Sequence, residues 1–191
     1  MKKALERAAT WGLLILFTVG CVVATRRYER AGYPVRYESE IRAAAAEFEV
    51  DPLFLLAVIK TESGFRPDAV SVDDACGLMQ LLPGTFEWLQ RLTPEEDAYT
   101  RADLFNPAVN IRYGTYFIAR LFAQFTAPET VAAAYHAGFN GVAKWLENPT
   151  YSADGVHLDT IPYEDTKIYV SRVMRNYRAY QALYPDLFAD Y

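Results

Sequence analysis

Cysteine is nearly absent from this sequence: there are two in 191 residues, Cys21 inside an apolar stretch and Cys76 in the globular part. No intradomain disulfide has a partner, so stability must come from packing. Histidine is as scarce. His136 and His157 lie far apart along the chain, and the carboxylates form no cluster at ligand spacing, so neither a metal nor another cofactor is implied. Basic charge is outnumbered by acidic charge where most of the chain lies. Met1 to Gly32 carry six Lys and Arg against two Glu, about +4, which leaves about −9 of the overall −5 on the remainder. Binding phosphate needs a basic face, which argues against nucleic acid as a partner. Alternating strand patterns, internal repeats and low-complexity tracts are also lacking. What is present is 52% apolar and 15% aromatic residues, enough core for one compact domain and little for a second.

The first segment reads MKKALERAATWGLLILFTVGCVVATRR. Ala8 to Thr25 is uncharged, bracketed by Lys2, Lys3 and Arg7 before it and by Arg26 and Arg27 after it. Such a run is close to the ~20 residues that span a bilayer. An uncleaved membrane anchor fits it best. A cleaved signal peptide also has a basic start and an apolar middle, but no clear small-x-small site follows. A lipobox at Thr18 to Cys21 has Thr where Leu is usual, and the chain stays apolar after it. All three readings put the rest of the chain outside the cytoplasm. The expected organisation is therefore an anchor and linker over residues 1–32 and one domain over 33–191.

From Val35 onward, helices alternate with Pro, Gly and Asn/Asp breaks. YESEIRAAAAEFEV reads as an alanine-rich helix. In VDPLFLLAVIKTES, Asp51 is the N-cap and Pro52 the first helical residue, and the apolar residues run nearly all round, as in a buried central helix. GFRPDAVSVDDACG is a loop. A short helix starts near Pro83, and a long one follows Asn106 and Pro107. Another begins near Pro128, breaks at Gly138 to Gly141 and gives way to a short turn carrying Trp145. A loop or small hairpin surrounds Asp154 and Gly155, and a last helix covers Tyr163 to Tyr184. The fold class is mainly α.

Four segments stand outside this core pattern. Glu62 ends the apolar helix, where unpaired carbonyls and apolar neighbours disfavour a carboxylate and raise its pKa, the property a general acid requires near neutral pH. A solvated helix end would look the same. In CGLMQLLPGT, Gly77 permits close backbone approach and Gln80 offers an amide that both donates and accepts. Tyr135 sits in AAAYHAGFNG, where a core tyrosine is the plain alternative. IPYEDTKIYV places Glu164, Asp165 and Lys167 at the start of the last helix, where acids suit the helix dipole without further function.

Taken together, in this order and spacing, the four segments resemble the lysozyme-like lytic transglycosylases of the soluble-transglycosylase type. The likeness covers roughly Tyr37 to Tyr184, and the overall plan looks like the family's short members with a single membrane span. The E-S motif is Glu62-Ser63, G-L-M-Q is Gly77-Leu78-Met79-Gln80, and A-Y-N is Ala134-Tyr135-His136. DLFNPAVNI and IPYEDTKIYV match two further signatures. Three positions depart: His136 stands in place of Asn, Asp165 in place of Glu, and Lys167 in place of Arg.

The resemblance implies a lysozyme-like domain behind one N-terminal transmembrane helix, with peptidoglycan strands as substrate and no cofactor. It makes Glu62 the catalytic acid and then base. Ser63, Gly77, Met79, Gln80, Tyr135, His136 and Asp165 become the substrate-binding set, with Phe65, Phe139 and Tyr163 as aromatics that could stack on sugars. The bond cleaved is the one between N-acetylmuramic acid and N-acetylglucosamine, and the product is a 1,6-anhydromuramoyl end. Two rival readings stand. A muramidase would need a second carboxylate to hold water, with Asp73, Asp74 or Asp165 available. A glycan-binding module without activity would fit the departures, though the retained Glu62 argues against it.

Overall fold

The computed structural model describes residues 2–94 and 98–189. The chain divides into two units, Met1–Pro34 and Val35–Tyr191. The first holds one helix, α1 (Lys2–Gly32). Its large apolar side chains Trp11, Ile15, Leu16, Phe17 and Val22 are exposed. No helix among the described residues is long and apolar enough to cross a membrane. The transmembrane span expected over Ala8 to Thr25 is therefore not supported. Thr10, Gly12, Thr18, Gly20 and Thr25 dilute the run.

The second unit is helical, with no strand among its described residues beyond the isolated bridges Val70 to Cys76 and Cys76 to Leu81. Its elements are α2 (Glu38–Phe48), α3 (Pro52–Glu62), α4 (Pro83–Gln90), a 3-10 turn (Arg101–Phe105), α5 (Pro107–Phe122), α6 (Pro128–Ala137), α7 (Phe139–Leu146) and α8 (Glu164–Leu183). Helix α3 is the central one, as its composition predicts. Pro52 and every residue from Phe54 to Ile59 are buried, and Asp51 caps the start by accepting from Leu53 N at 2.8 Å. It packs chiefly on α8, while α2 pairs with α5, and α6 lies against α8 and α7. Asn106 caps α5 in the same way, accepting from Ala108 N at 3.0 Å.

One local expectation changes, and one open alternative is settled for the loop. The break after α6 is confined to Gly138, whose φ of 86° ends one helix and starts the next, so Gly141 and the buried Trp145 belong to α7 instead of a turn. Around Asp154 there is no hairpin. Asp154 Oδ1 accepts from Val156 N and His157 N, both at 2.8 Å, a side-chain turn that takes up donors a strand ladder would need.

Candidate active site

Glu62 is the last residue of α3, and the chain folds around its carboxyl. The Tyr169 hydroxyl, on the core face of α8, donates to Glu62 Oε1 at 2.6 Å. Burial disfavours the carboxylate and lifts its pKa to about 7, against the smaller opposing effect of the Tyr169 hydrogen bond. The negative field of Glu62 adds to burial in holding both the Tyr135 and Tyr169 hydroxyls well above their ordinary pKa.

The carboxyl opens into a cleft of about 260 Å³, lined also by Gln80, Leu82, Tyr135 and His136 and by Ser71, Asp73 and Ala75 of the loop between α3 and α4. This loop is shaped by strained backbone. Phe65, Asp74 and Gln80 have φ of 66°, 65° and 50°, each unfavourable by on the order of 1–2 kcal/mol for a side chain with a Cβ. Tertiary contacts hold them there. Phe65 is buried, Arg101 forks onto the Asp74 carboxylate, and Gln80 Nε2 donates to Gly77 O at 2.9 Å and Ala69 O at 3.1 Å. The Gln80 amide thus spends its donor on the loop and leaves Oε1 for the cleft.

Asn110 of α5 fixes the turn that carries Gln80. Fully buried, it accepts from Met79 N at 2.7 Å and donates to Cys76 O and Leu104 O at 2.9 and 2.8 Å. Gly77, at φ 77°, lies so close that a Cβ there would collide with Leu104 O and the Asn110 amide. Met79 packs its sulfur against Gly114, and its carbonyl accepts from the Tyr135 hydroxyl at 2.7 Å.

The structure therefore brings Glu62, Gln80, Tyr135 and His136 to one cleft and places the other expected site residues differently. Ser63 is buried, and its hydroxyl donates to Leu78 O at 2.8 Å, so it ties α3 to the Gly77–Gln80 turn and does not face the cleft. Gly77 and Met79 build that turn from behind. Asp165 Oδ1 accepts from Thr166 N at 2.7 Å, and Thr166 Oγ1 lies 3.3 Å from His136 Nδ1. The His136 ring also packs on Tyr169, with centroids 4.5 Å apart. Of the three acids that could hold water, only Asp73 lines the cleft. Tyr169, Asn110 and Thr166 were missed by sequence reasoning. All three stand in stretches that match family signatures, Asn110 in DLFNPAVNI and Thr166 and Tyr169 in IPYEDTKIYV, but the sequence assigns none of them a role.

A helical domain with the Glu62 carboxyl at an open cleft is of the lysozyme-like class. The chain belongs to the transglycosylase SLT domain family, whose description matches residues 39–156. It is 28% identical over 182 residues to the soluble lytic murein transglycosylase of Escherichia coli K12, covering 94% of this chain and 27% of that protein. Among solved structures, it resembles the 70 kDa soluble lytic transglycosylase of E. coli, with TM-score 0.74, 26% identity and coverage of 81% and 25% of the two chains. It also resembles an inactive glutamate-to-glutamine mutant of the lytic transglycosylase Slt from Pseudomonas aeruginosa, with TM-score 0.69, 31% identity and coverage of 79% and 25%. The chain spans about a quarter of the length of each of these relatives.

Proposed function

We propose that the chain is a peptidoglycan lytic transglycosylase in which Glu62 is first acid and then base. The observation that carries this is the Glu62 carboxyl, its pKa lifted by burial to about 7, opening into the cleft. Protonated Glu62 gives its proton to the oxygen joining N-acetylmuramic acid to N-acetylglucosamine, and the bond from muramoyl C1 to that oxygen breaks. The muramoyl 2-acetamido oxygen supports the electron-poor C1. Glu62, now a carboxylate steadied by the Tyr169 hydroxyl, takes the proton of the C6 hydroxyl while O6 bonds to C1. The product is a 1,6-anhydro ring, no water is consumed, and Glu62 is protonated again. Attack from within the same sugar gains from proximity, so no protein nucleophile is needed. Gln80 Oε1 accepts from a substrate N–H or O–H, and Tyr135 keeps the Met79 turn in place beneath it.

Hydrolysis is the second reading, favoured by one observation: Asp73 lines the same cleft and could hold a water. Mass spectrometry of purified peptidoglycan incubated with the wild type and with Glu62→Gln decides between them. Anhydromuramoyl ends from the wild type alone support the transglycosylase. Reducing ends support hydrolysis, and intact glycan with both folded proteins supports a binding module.

The membrane-anchored location is part of the same proposal. It is supported by the exposed apolar side chains of α1 and the arginines that follow them, since an exposed apolar stripe of this size calls for a cover. Carbonate extraction of membranes from cells making the full chain, beside a chain lacking residues 2–32, tests it. Release of the full chain into the carbonate supernatant would refute it.

A further inference from the structure

Of the three aromatics that could stack on a sugar, Phe65 is buried at 1% exposure, Phe139 is half-buried on α7, and Tyr163 is 60% exposed. Tyr163 is also held firmly. Its ring packs against the buried Trp145 of α7, with centroids 5.6 Å apart and planes inclined by 58°, and its carbonyl accepts from Lys167 N at 3.0 Å at the head of α8. An exposed ring of this size offers a flat apolar face, and the Trp145 contact restricts its motion in advance of binding.

Its position relates it to the cleft. Thr166, bonded to the cleft-lining His136, is three residues further along, so Tyr163 lies about one helical turn, ~5 Å along the axis, from that contact. Residues on both sides of Tyr163 in the chain, Leu158, Asp159, Thr160, Ile161 and Lys167, line a separate polar cavity of about 220 Å³. The ion-pair partner of Lys167 among the described residues is an exposed acid, Glu164 at 3.6 Å. A supported ring, with a polar recess formed by the residues that flank it in the chain, suits a pyranose, which offers an apolar face of C–H groups and an equatorial rim of hydroxyl and acetamido groups.

We propose that Tyr163 is the stacking platform of an outer glycan subsite, which holds an N-acetylated aminosugar of the strand beyond the residues flanking Glu62, with the Lys167 recess receiving that sugar's polar substituents. This rests on the glycan-cleaving reading and names a contact that sets the length of strand gripped. The probe is the β-1,4 hexamer of N-acetylglucosamine, titrated calorimetrically into the full chain carrying Glu62→Gln so that nothing turns over. Adding Tyr163→Ala should weaken binding about tenfold, the scale of one aromatic stacking contact. Tyr163→Phe, which keeps the ring, should bind within twofold of the parent. Tyr163→Leu, which keeps apolar cover over Trp145 without a flat ring, should lose as much as alanine and guards against loss of fold. Hexamer affinity unchanged in Tyr163→Ala, an equal loss in Tyr163→Phe, or no hexamer binding by the parent would each overturn the subsite. The products of the wild type on peptidoglycan are read separately: anhydromuramoyl ends with unaltered hexamer affinity in Tyr163→Ala sink the subsite alone, and Tyr163-dependent binding without any cleavage upholds the subsite and sinks the activity.

Discussion

Replacing Glu62 by glutamine should stabilise the protein, and only above a definite pH. In the folded chain Glu62 titrates near 7, against an ordinary value of 4.5. Below about pH 4.5 the carboxyl is neutral in both folded and unfolded states and contributes no difference. Between 4.5 and 7 the unfolded state releases its proton while the folded state keeps it, so stability falls as pH rises, and the loss is complete above the folded pKa. A displacement of about 2.5 pH units corresponds to about 3 kcal/mol. A glutamine amide cannot ionise, keeps nearly the same shape, and offers its oxygen to the Tyr169 hydroxyl. Glu62→Gln should therefore match the wild type at pH 4 and exceed it by up to about 3 kcal/mol at pH 8, roughly 6–12 °C in melting temperature for a domain of this size. Urea unfolding of both proteins across that range measures the difference directly. A constant difference with pH, or a variant less stable at pH 8, would refute the reasoning that burial holds Glu62 protonated.

Tyr169→Phe removes the hydroxyl that favours the ionised carboxylate, so the Glu62 pKa should rise and the alkaline limb of the kcat/KM profile should move to higher pH; an unmoved limb would show that the hydrogen bond has no hold on Glu62. Asn110→Ala strands Met79 N and Leu104 O in a dry interior and leaves Cys76 O with Leu81 N alone, and should destabilise by roughly 3–5 kcal/mol in urea unfolding. Gly77→Ala must move Leu104 or Asn110 and adopt a left-handed φ, with an expected loss of roughly 2–4 kcal/mol in the same assay.

How much of this the chain announces in advance depends on whether the signal is local. The central helix shows itself through Asp51-Pro52 and the apolar run behind them, and Glu62 through its place at the end of that run. Both depend on neighbours within a few turns. Ser63 shows the limit. Next to Glu62 in sequence, it looks like a cleft residue, yet one step along the C-terminal end of α3 turns its hydroxyl toward Leu78 O. Tyr169 is the opposite case. Tyr169 matches the signature in IPYEDTKIYV without showing what it does there, and only the packing of α8 on α3, 107 residues apart in sequence, brings its hydroxyl to Glu62. Asn110 stood in a recognised stretch without a role because the backbone groups it bonds come from two other segments. Around Asp154 the loop and not the hairpin holds for a local reason, since the Asp side chain takes up the backbone donors of Val156 and His157.

The direct measurement is the titration of the Glu62 carboxyl itself, followed by the carbonyl carbon resonance of the full chain labelled at glutamate side chains, with Glu62→Gln to identify the signal. A midpoint near 7 is the result that a buried acid poised to give and then take a proton requires. A midpoint near 4.5 would make Glu62 an ordinary solvated carboxylate at neutral pH, and the acid step proposed for it would fail.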